Sequence, residues 1–457
     1  MKKNSILKAL GIIFLLYVAL SWIIPAGYYN SGEYVASTTA PVGIFDIILY
    51  PFMALTSSVF ILTALDFLLI GAFYGILNKT KAYPKMVADL AKKFKDHKTV
   101  VLVVTTILFA LLSSLTGLTL ALFVFVPMCA TVIMLMGYNK LTAMLSTVGA
   151  ILVGNMASTY GFNVAGYIKY LTENINNSIV IRVALLVISV LVLVFFTIKA
   201  SNEKEKNNEI KLYEKTTKKV SKTPVIVTMI VVFVILMVGM FSWSNVLGVE
   251  LFNDIYNKIV GIKIGKYPIF ANILGTLPAF GSWTNYELGL VLIIAGIVVG
   301  LIYKLSLDEI IEGAISGIKE MLPVALITIL ASTIFLLMNT NTNGYTFYAT
   351  IINKLLGENI GIIPFGFITM IGSVFYNDFP YLLSNLYGAI VSFENQYVLI
   401  GMIAQTIHGL MQLILPTSVI LVAGLTYFEI PYTKWLKDMW KFFLSLLIVI
   451  IILLILV

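Results

Sequence analysis

An all-α polytopic membrane protein is the fold class this sequence predicts, and three observations predict it. Of the 457 residues, 60% are hydrophobic and 11% are charged, whereas soluble domains are about half apolar and a quarter charged. The apolar residues fall in long runs. At roughly 20 residues per crossing, these runs leave room for about ten to twelve spanning elements. Several runs also carry polar side chains, glycine or proline near their centres, as discontinuous helices do.

The charge fits a bilayer. The formal net charge is +8, and Arg182 is the only arginine. Lysines clustered beside apolar runs mark the cytoplasmic flanks of spans, so the expected surroundings are a lipid bilayer and no nucleic acid. Cys129 is alone, which excludes internal disulfides and thiolate clusters. His97 and His408 are the only histidines. No metal and no cofactor is expected. The longest polar run, 199–223, is too short to bury a core of its own.

The N-terminal MKKNSILK and the apolar run to Ile24 read as a first transmembrane helix with Trp22 as its interfacial anchor. A cleaved signal peptide is the alternative, although Pro25-Ala26-Gly27 makes a poor cleavage site. Residues 44–77 are too many for one upright helix and read as a short element plus a span. Residues 79–98 are amphipathic and hold seven lysines. Residues 100–136 form an apolar pair broken at 113–117. Residues 141–165 form a span with polar interruptions, and 179–198 a plain helix.

A linker with eight lysines and four glutamates covers 199–222. It divides the chain into a first membrane repeat (1–198), a charged cytoplasmic linker (199–223) and a second repeat (224–457). The second half opens with a plain helix over 225–243. A long loop follows to Tyr286, with Trp243 and Trp283 as interface anchors. Spans are expected over 288–303 and 322–338. A polar stretch covers 339–359, an apolar pair broken at 376–380 follows, then a polar-centred span from Ile400 and a last helix over 438–457.

Each half thus repeats a span, an amphipathic stretch, a broken apolar pair, a polar-centred span and a plain helix. The first amphipathic stretch has seven lysines and its counterpart one, Lys354. Basic segments stay cytoplasmic, so the two counterparts are expected on opposite sides. That is an inverted-topology repeat with two re-entrant hairpins. Span parity agrees when the N-terminus is cytoplasmic, in what reads as a bacterial inner membrane.

Four polar breaks could hold chemistry. In 113–119 (SSLTGLT), small hydroxyl residues and Gly117 permit a turn inside the membrane. Helix amide ends attract anions there and carbonyl ends attract cations. An ordinary surface loop is the alternative. In 154–163 (GNMASTYGFN), Asn155, Ser158, Thr159 and Asn163 offer more polar groups than helix packing through Gly and Ser requires. In 376–385 (YNDFPYLLSN), Asp378 beside Pro380 carries a proton or Na⁺ if it lies at depth, and is a turn residue if it lies at the surface. In 405–418, His408 titrates near neutrality in its free form, although a lone histidine also serves as a packing residue. Thr417 and Ser418, just after Pro416, are the stronger contacts for substrate or cation. Asp66 lies inside an apolar run, and its role stays open.

These stretches together resemble the YfcC-type anaerobic dicarboxylate carriers, close to the DcuC group of the ion-transporter superfamily. The tail LPTSVILVAGLTYFEIPYTKW (415–435) is the most specific match. WIIPAG (22–27), FLLIGAFYGILNKT (67–80) and the 304–331 stretch add to it. The resemblance implies a scaffold domain and a transport domain, two re-entrant hairpins, elevator-like movement and frequent homodimers. By position it implies that Gly117, Asn155, Ser158, Thr159, Asn163, Pro416, Thr417 and Ser418 lie at or beside the site. Three departures fall on that site. Leu120 and Ala121 stand where a glutamate pair is common. Phe375-Tyr376-Asn377-Asp378 replaces a Gly-Ser-Gly tip, and His408 replaces an aspartate.

The expected function is secondary active transport of a small carboxylate-bearing metabolite, an organic acid or amino acid, coupled to Na⁺ or H⁺ or run as exchange. A non-transporting sensor or degenerate paralogue is the alternative. No nucleotide-binding loop, metalloprotease motif or nucleophile elbow is present, so no enzyme is expected. The candidate substrate-binding residues are Gly117, Thr119, Asn155, Ser158, Thr159, Asn163, Asn377, Gln412, Thr417 and Ser418. Asp378 and His408 are the candidate coupling groups. With no arginine cluster and Arg182 at the start of a plain helix, an anion would rely on helix amide ends and on Ser, Thr and Asn donors. That favours a monocarboxylate or zwitterion over a dianion.

Overall fold

The computed structural model describes residues 5–37, 41–161, 177–203, 210–218, 220–340, 346–357 and 360–457, together with Val164, Leu171 and Asn174. In chain order the described elements are α1 (Ser5–Ile23), a hairpin of β1 (Gly27–Asn30) and β2 (Glu33–Ala36), α2 (Asp46–Ala54), α3 (Ser58–Lys79), α4 (Ala82–Lys93), α5 (Lys98–Thr116), α6 (Thr119–Phe123) and α7 (Val126–Leu135). Next come α8 (Lys140–Met144), which passes through a π turn (Leu145–Gly149) into α9 (Ala150–Met156), then α10 (Ile179–Ser201), α11 (Thr223–Met240), α12 (Trp243–Leu247), α13 (Leu251–Val260) and α14 (Ile269–Leu274). The remainder is α15 (Asn285–Ile302), α16 (Leu307–Thr340), α17 (Phe347–Leu355), α18 (Ile362–Phe375), α19 (Phe379–Ile390), α20 (Tyr397–Gln412), α21 (Val419–Tyr427) and α22 (Tyr432–Leu454).

The protein is a helical, multi-pass membrane protein. Seven of the described helices are long and apolar enough to cross a bilayer, namely α1, α3, α5 with the turn before it, α10, α11, α15 and α16. Shorter apolar helices cover Thr119–Leu135, Lys140–Met156 and Ile362–Phe375. The difference from the expected ten to twelve falls on these shorter elements. Each is bounded by a break the sequence shows, which leaves it too short to cross alone.

The chain divides into two compact units. The first comprises 1–64, 94–211 and 323–457, and the second 65–93 and 212–322. Each draws on both sides of the charged linker, and two of the four boundaries fall inside α3 and α16. In the first unit, α9 packs against α5 and α20, α18 against α20, and α22 against α10 and α20. Tyr34 at the end of the β hairpin meets Thr350 of α17 at 2.7 Å, and Gly27 exchanges backbone hydrogen bonds with Thr346.

In the second unit, α11 packs against α4 and α15. Here α3 meets the first turns of α16 backbone to backbone. Gly71 and Gly75 lie one turn apart on α3, as do Gly313 and Gly317 on α16. A Cβ on Gly75 would strike the carbonyl of Gly313, and one on Gly317 the carbonyl of Gly71. Small residues let helices approach this closely in lipid, where dispersion rather than water exclusion drives association. Gly317→Ala is expected to destabilise the protein by on the order of 1–3 kcal/mol, despite alanine's better helix propensity. A melting temperature unchanged in detergent would show that this contact is not tight.

Charged residues at the polar end of the second unit are paired. Lys222 Nζ lies 2.6 Å from Asp89 Oδ2 and Lys81 Nζ 2.8 Å from Glu214 Oε2. The hydrogen bond from Lys222 holds the Asp89 carboxyl below the usual carboxylate range, with Lys85 adding to it. Lys211, in the first unit, reaches Thr426 O at 3.3 Å and Glu429 Oε1 at 3.6 Å. The linker residues described are therefore docked, through lysines that the sequence marks only as a charge run.

Candidate functional site

The four breaks are real interruptions, and all lie in the first unit. Helix α5 ends at Gly117, which takes a left-handed conformation (φ 70°) and whose N–H donates to Ser113 O at 2.7 Å. A residue with a Cβ rarely adopts that φ, so glycine sets where the helix stops. Thr119 then opens α6 and is half-buried. The second break is the irregular stretch after α9. Asn163 lies outside the described residues, and Asn155 is half-buried on α9. Gly154 serves packing, since a Cβ there would strike Ala110 O of α5.

Ser114 joins these two breaks. Its hydroxyl donates to Ala157 O at 2.7 Å, and its carbonyl accepts from the N–H groups of Thr159 (3.0 Å) and Gly161 (3.1 Å). The hydroxyls of Ser158 and Thr159 also point to that carbonyl, each at 3.3 Å. From the other side, Gln405 of α20 donates through Nε2 to Ser158 O at 2.8 Å. Its Oε1 is buried without a partner among the described residues. Ser158 and Thr159 thus sit side by side with hydroxyls turned inward onto backbone.

Arg182 completes this corner. It does begin α10, but it is fully buried. Nη1 donates to Thr159 O at 2.5 Å and Nη2 to Asn177 O at 3.0 Å. The planar fork can bridge two carbonyls where a lysine ammonium cannot. In the sequence, Arg182 reads only as a residue at the start of a plain helix. The signal that could have found it is its rarity, one arginine in a chain whose other cations are all lysine.

One turn further along α20 lies a second chain of hydrogen bonds. The Ser373 hydroxyl donates to Thr369 O at 2.7 Å, so at 3.1 Å His408 Nδ1 is the donor to Ser373 Oγ. Gln412 Nε2 then donates to His408 Nε2 at 3.3 Å. These assignments are satisfied by a neutral imidazole carrying its proton on Nδ1. Phe379 packs on the imidazole, with ring centroids 5.5 Å apart. Asp378 and Asn377 are half-buried in the turn before α19, and Asp378 caps that helix by accepting from Tyr381 N at 3.3 Å.

The fourth break, 413–418, separates α20 from α21, and its two ends differ. On the carbonyl side, Trp435 Nε1 donates to Leu413 O at 2.9 Å and Tyr432 Oη to Ile414 O at 2.7 Å. Both donors come from the first turn of α22, which gives a structural reason for the IPYTKW end of the tail motif. On the amide side, Ser418 is the N-cap of α21 but its side chain makes no cap. The first-turn N–H groups of a helix have no intrahelical acceptor. Thr417 Oγ1 beside them is buried and without a partner among the described residues. The carbonyls of Leu413 and Ile414 are thus occupied by side-chain donors, while Thr417 Oγ1 and the first-turn N–H groups of α21 are left as donors, which suits an anion. Trp435→Phe should leave Leu413 O unsatisfied at a cost of about 1–3 kcal/mol. The check is a lowered melting temperature, and an unchanged one would mean that water replaces the indole.

The family model described as C4-dicarboxylate anaerobic carrier (DcuC) matches residues 4–457. Among solved structures, the chain is similar to the Alcanivorax borkumensis YdaH transporter at 13% identity and a TM-score of 0.40, over 99% of this chain and 97% of that one. It is also similar to Neisseria gonorrhoeae MtrF, whose structure is described as illuminating a class of antimetabolite efflux pumps. There the identity is 12% and the TM-score 0.39, over 98% and 94% of the two chains. No curated protein sequence matches this chain significantly.

Proposed function

This chain belongs to the C4-dicarboxylate anaerobic carrier family, and from that premise we propose that it is a secondary active transporter holding a carboxylate at the amide end of the α20–α21 break. Membership makes it a membrane transport protein rather than an enzyme. One observation carries the finer reading, namely the unequal ends of that break. Tyr432 and Trp435 occupy the carbonyls of Ile414 and Leu413, while Thr417 Oγ1 and the first turn of α21 remain as donors. Helix amide ends in discontinuous spans receive anionic substrate groups in this manner.

One amide end accommodates one carboxylate. Arg182 spends Nη1 and Nη2 on backbone carbonyls and supports the 157–161 loop from behind. Within carboxylate-bearing metabolites, this arrangement favours short monocarboxylates and amino acids over dianions. Coupling to Na⁺ or H⁺ belongs to the same reading, with Asp378 and His408 as its candidate groups in this unit. So do elevator-type movement, a homodimer and an inner-membrane location with a cytoplasmic N-terminus. The test is uptake of labelled C4 dicarboxylates, monocarboxylates and amino acids into proteoliposomes under imposed Na⁺ or H⁺ gradients. Accumulation driven by one gradient supports the reading. Folded protein that neither accumulates nor exchanges any of them supports a sensory paralogue instead.

A further inference from the structure

The second unit buries a carboxyl group that none of the breaks uses. Asp66 lies inside α3, fully buried, and at a rise of 1.5 Å per residue it sits about 20 Å along the axis from Lys79 and about 12 Å from Ser58. Both its oxygens are without a hydrogen-bond partner among the described residues. On α15 and on the part of α16 in this unit, the two helices whose glycines meet α3, the charged side chains are engaged elsewhere or exposed. On α15, Glu287 accepts from Thr284 N at 2.7 Å, and Tyr286 is exposed. On the part of α16 in this unit, Glu309 accepts from Ser306 N, Glu312 pairs with Lys79 and Glu320 accepts from Leu212 N. Asp308 and Lys319 of that segment are exposed.

An ionised carboxylate at such depth, without ion pair or hydrogen bond, has no compensation for its lost hydration, and binding a proton removes the charge. A metal ion would need several oxygen ligands, and no cluster of three or more acidic, His or Cys side chains exists among the described residues. Gly289 of α15 faces Asp66, with Leu69 beside it on α3. A Cβ built on Gly289 would lie 3.7 Å from Asp66 Oδ1 and 3.0 Å from Leu69 Cδ1, so the glycine leaves space beside the carboxyl. A leucine at position 66 would pack α3 without any polar cost. Among the described residues no hydrogen bond repays the carboxyl, whereas an intramembrane acid is repaid by carrying an ion.

We propose that Asp66 is a proton-binding carboxyl, held as the neutral acid inside the second unit, and that its proton is exchanged during transport. Proton binding stands by itself, and the exchange role rests on the transporter reading.

The test treats the full-length protein in proteoliposomes with dicyclohexylcarbodiimide, which adds to protonated carboxyls in apolar surroundings, and maps the modified peptide. Asp66 should be labelled at neutral pH and progressively less above it, with the label gone in Asp66→Asn and kept in Asp66→Glu. The infrared carbonyl band of a protonated carboxyl should be present in the wild type and missing in Asp66→Asn. In transport, Asp66→Asn should keep substrate exchange while pH-driven accumulation falls at least tenfold. No label and no infrared band at any pH overturns proton binding, a readout on native protein that survives misfolding of the variant. Accumulation equal to wild type in Asp66→Asn overturns the exchange role. Wild-type protein that labels but never transports supports proton binding and overturns the transporter reading instead.

Discussion

Thr417→Val should weaken carboxylate binding about 10- to 100-fold while leaving the folded protein as stable as before or slightly more so. The two halves of that expectation have one origin. Thr417 Oγ1 is buried and has no partner among the described residues, so folding carries the cost of a desolvated hydroxyl, about 1–3 kcal/mol by protein mutational measures. Valine keeps the β-branched shape and removes that cost. A hydroxyl donating to a carboxylate contributes roughly 1.5–3 kcal/mol, which sets the loss of affinity. Thr417→Ser keeps the donor and should bind nearly as the wild type does. The check is a titration alongside a melting curve. A variant that loses stability and affinity together would place Thr417 in the packing rather than at the substrate.

Arg182→Met should lower stability by on the order of 3 kcal/mol and reduce uptake more than tenfold. The guanidinium is fully buried and donates to Thr159 O and Asn177 O. Removing it leaves both carbonyls short of a charged donor. Relief of the buried charge offsets part of the loss, which keeps the expected cost below the sum of two charge-assisted bonds. Thr159 and Ser158 lie in the loop so held, between Ser114 and Gln405. Arg182→Lys should rescue little, since one ammonium cannot span the two acceptors. Melting by size-exclusion fluorescence, with uptake measured below the melting temperature, separates the two effects. Full uptake by a destabilised variant would limit Arg182 to folding.

Much of the fold is legible because lipid punishes open backbone. A span must be helical, and a polar break inside it must be housed by protein. The turn at Gly117, the stretch from Ala157, the turn at Asn377 and the break around Pro416 all lie where the sequence interrupts an apolar run. The short element plus span expected over 44–77 is α2 followed by α3. Pro323 misleads in the opposite direction. The sequence reading starts a span beside it, yet α16 runs 34 residues through it. A proline removes one hydrogen bond from a helix, and inside a membrane bundle neighbouring groups can absorb that loss.

The candidate site was legible in its donors and not in their partners. Thr417, Ser158 and His408 announce themselves as polar groups within apolar runs. Ser373, Gln405, Tyr432 and Trp435 matter through contacts between segments far apart in sequence, which no local pattern encodes. The two units interleave segments from both halves for the same reason.

The most direct measurement of the central claim is alkylation of Ser418→Cys in a Cys129→Ser background, with and without transported carboxylate. Ser418 is the uncapped N-cap of α21, next to Thr417. Substrate is expected to slow alkylation with a midpoint at the transport affinity, and Thr417→Val to shift that midpoint upward. Alkylation untouched by saturating substrate, in protein that still transports, would contradict a carboxylate bound at the amide end of this break.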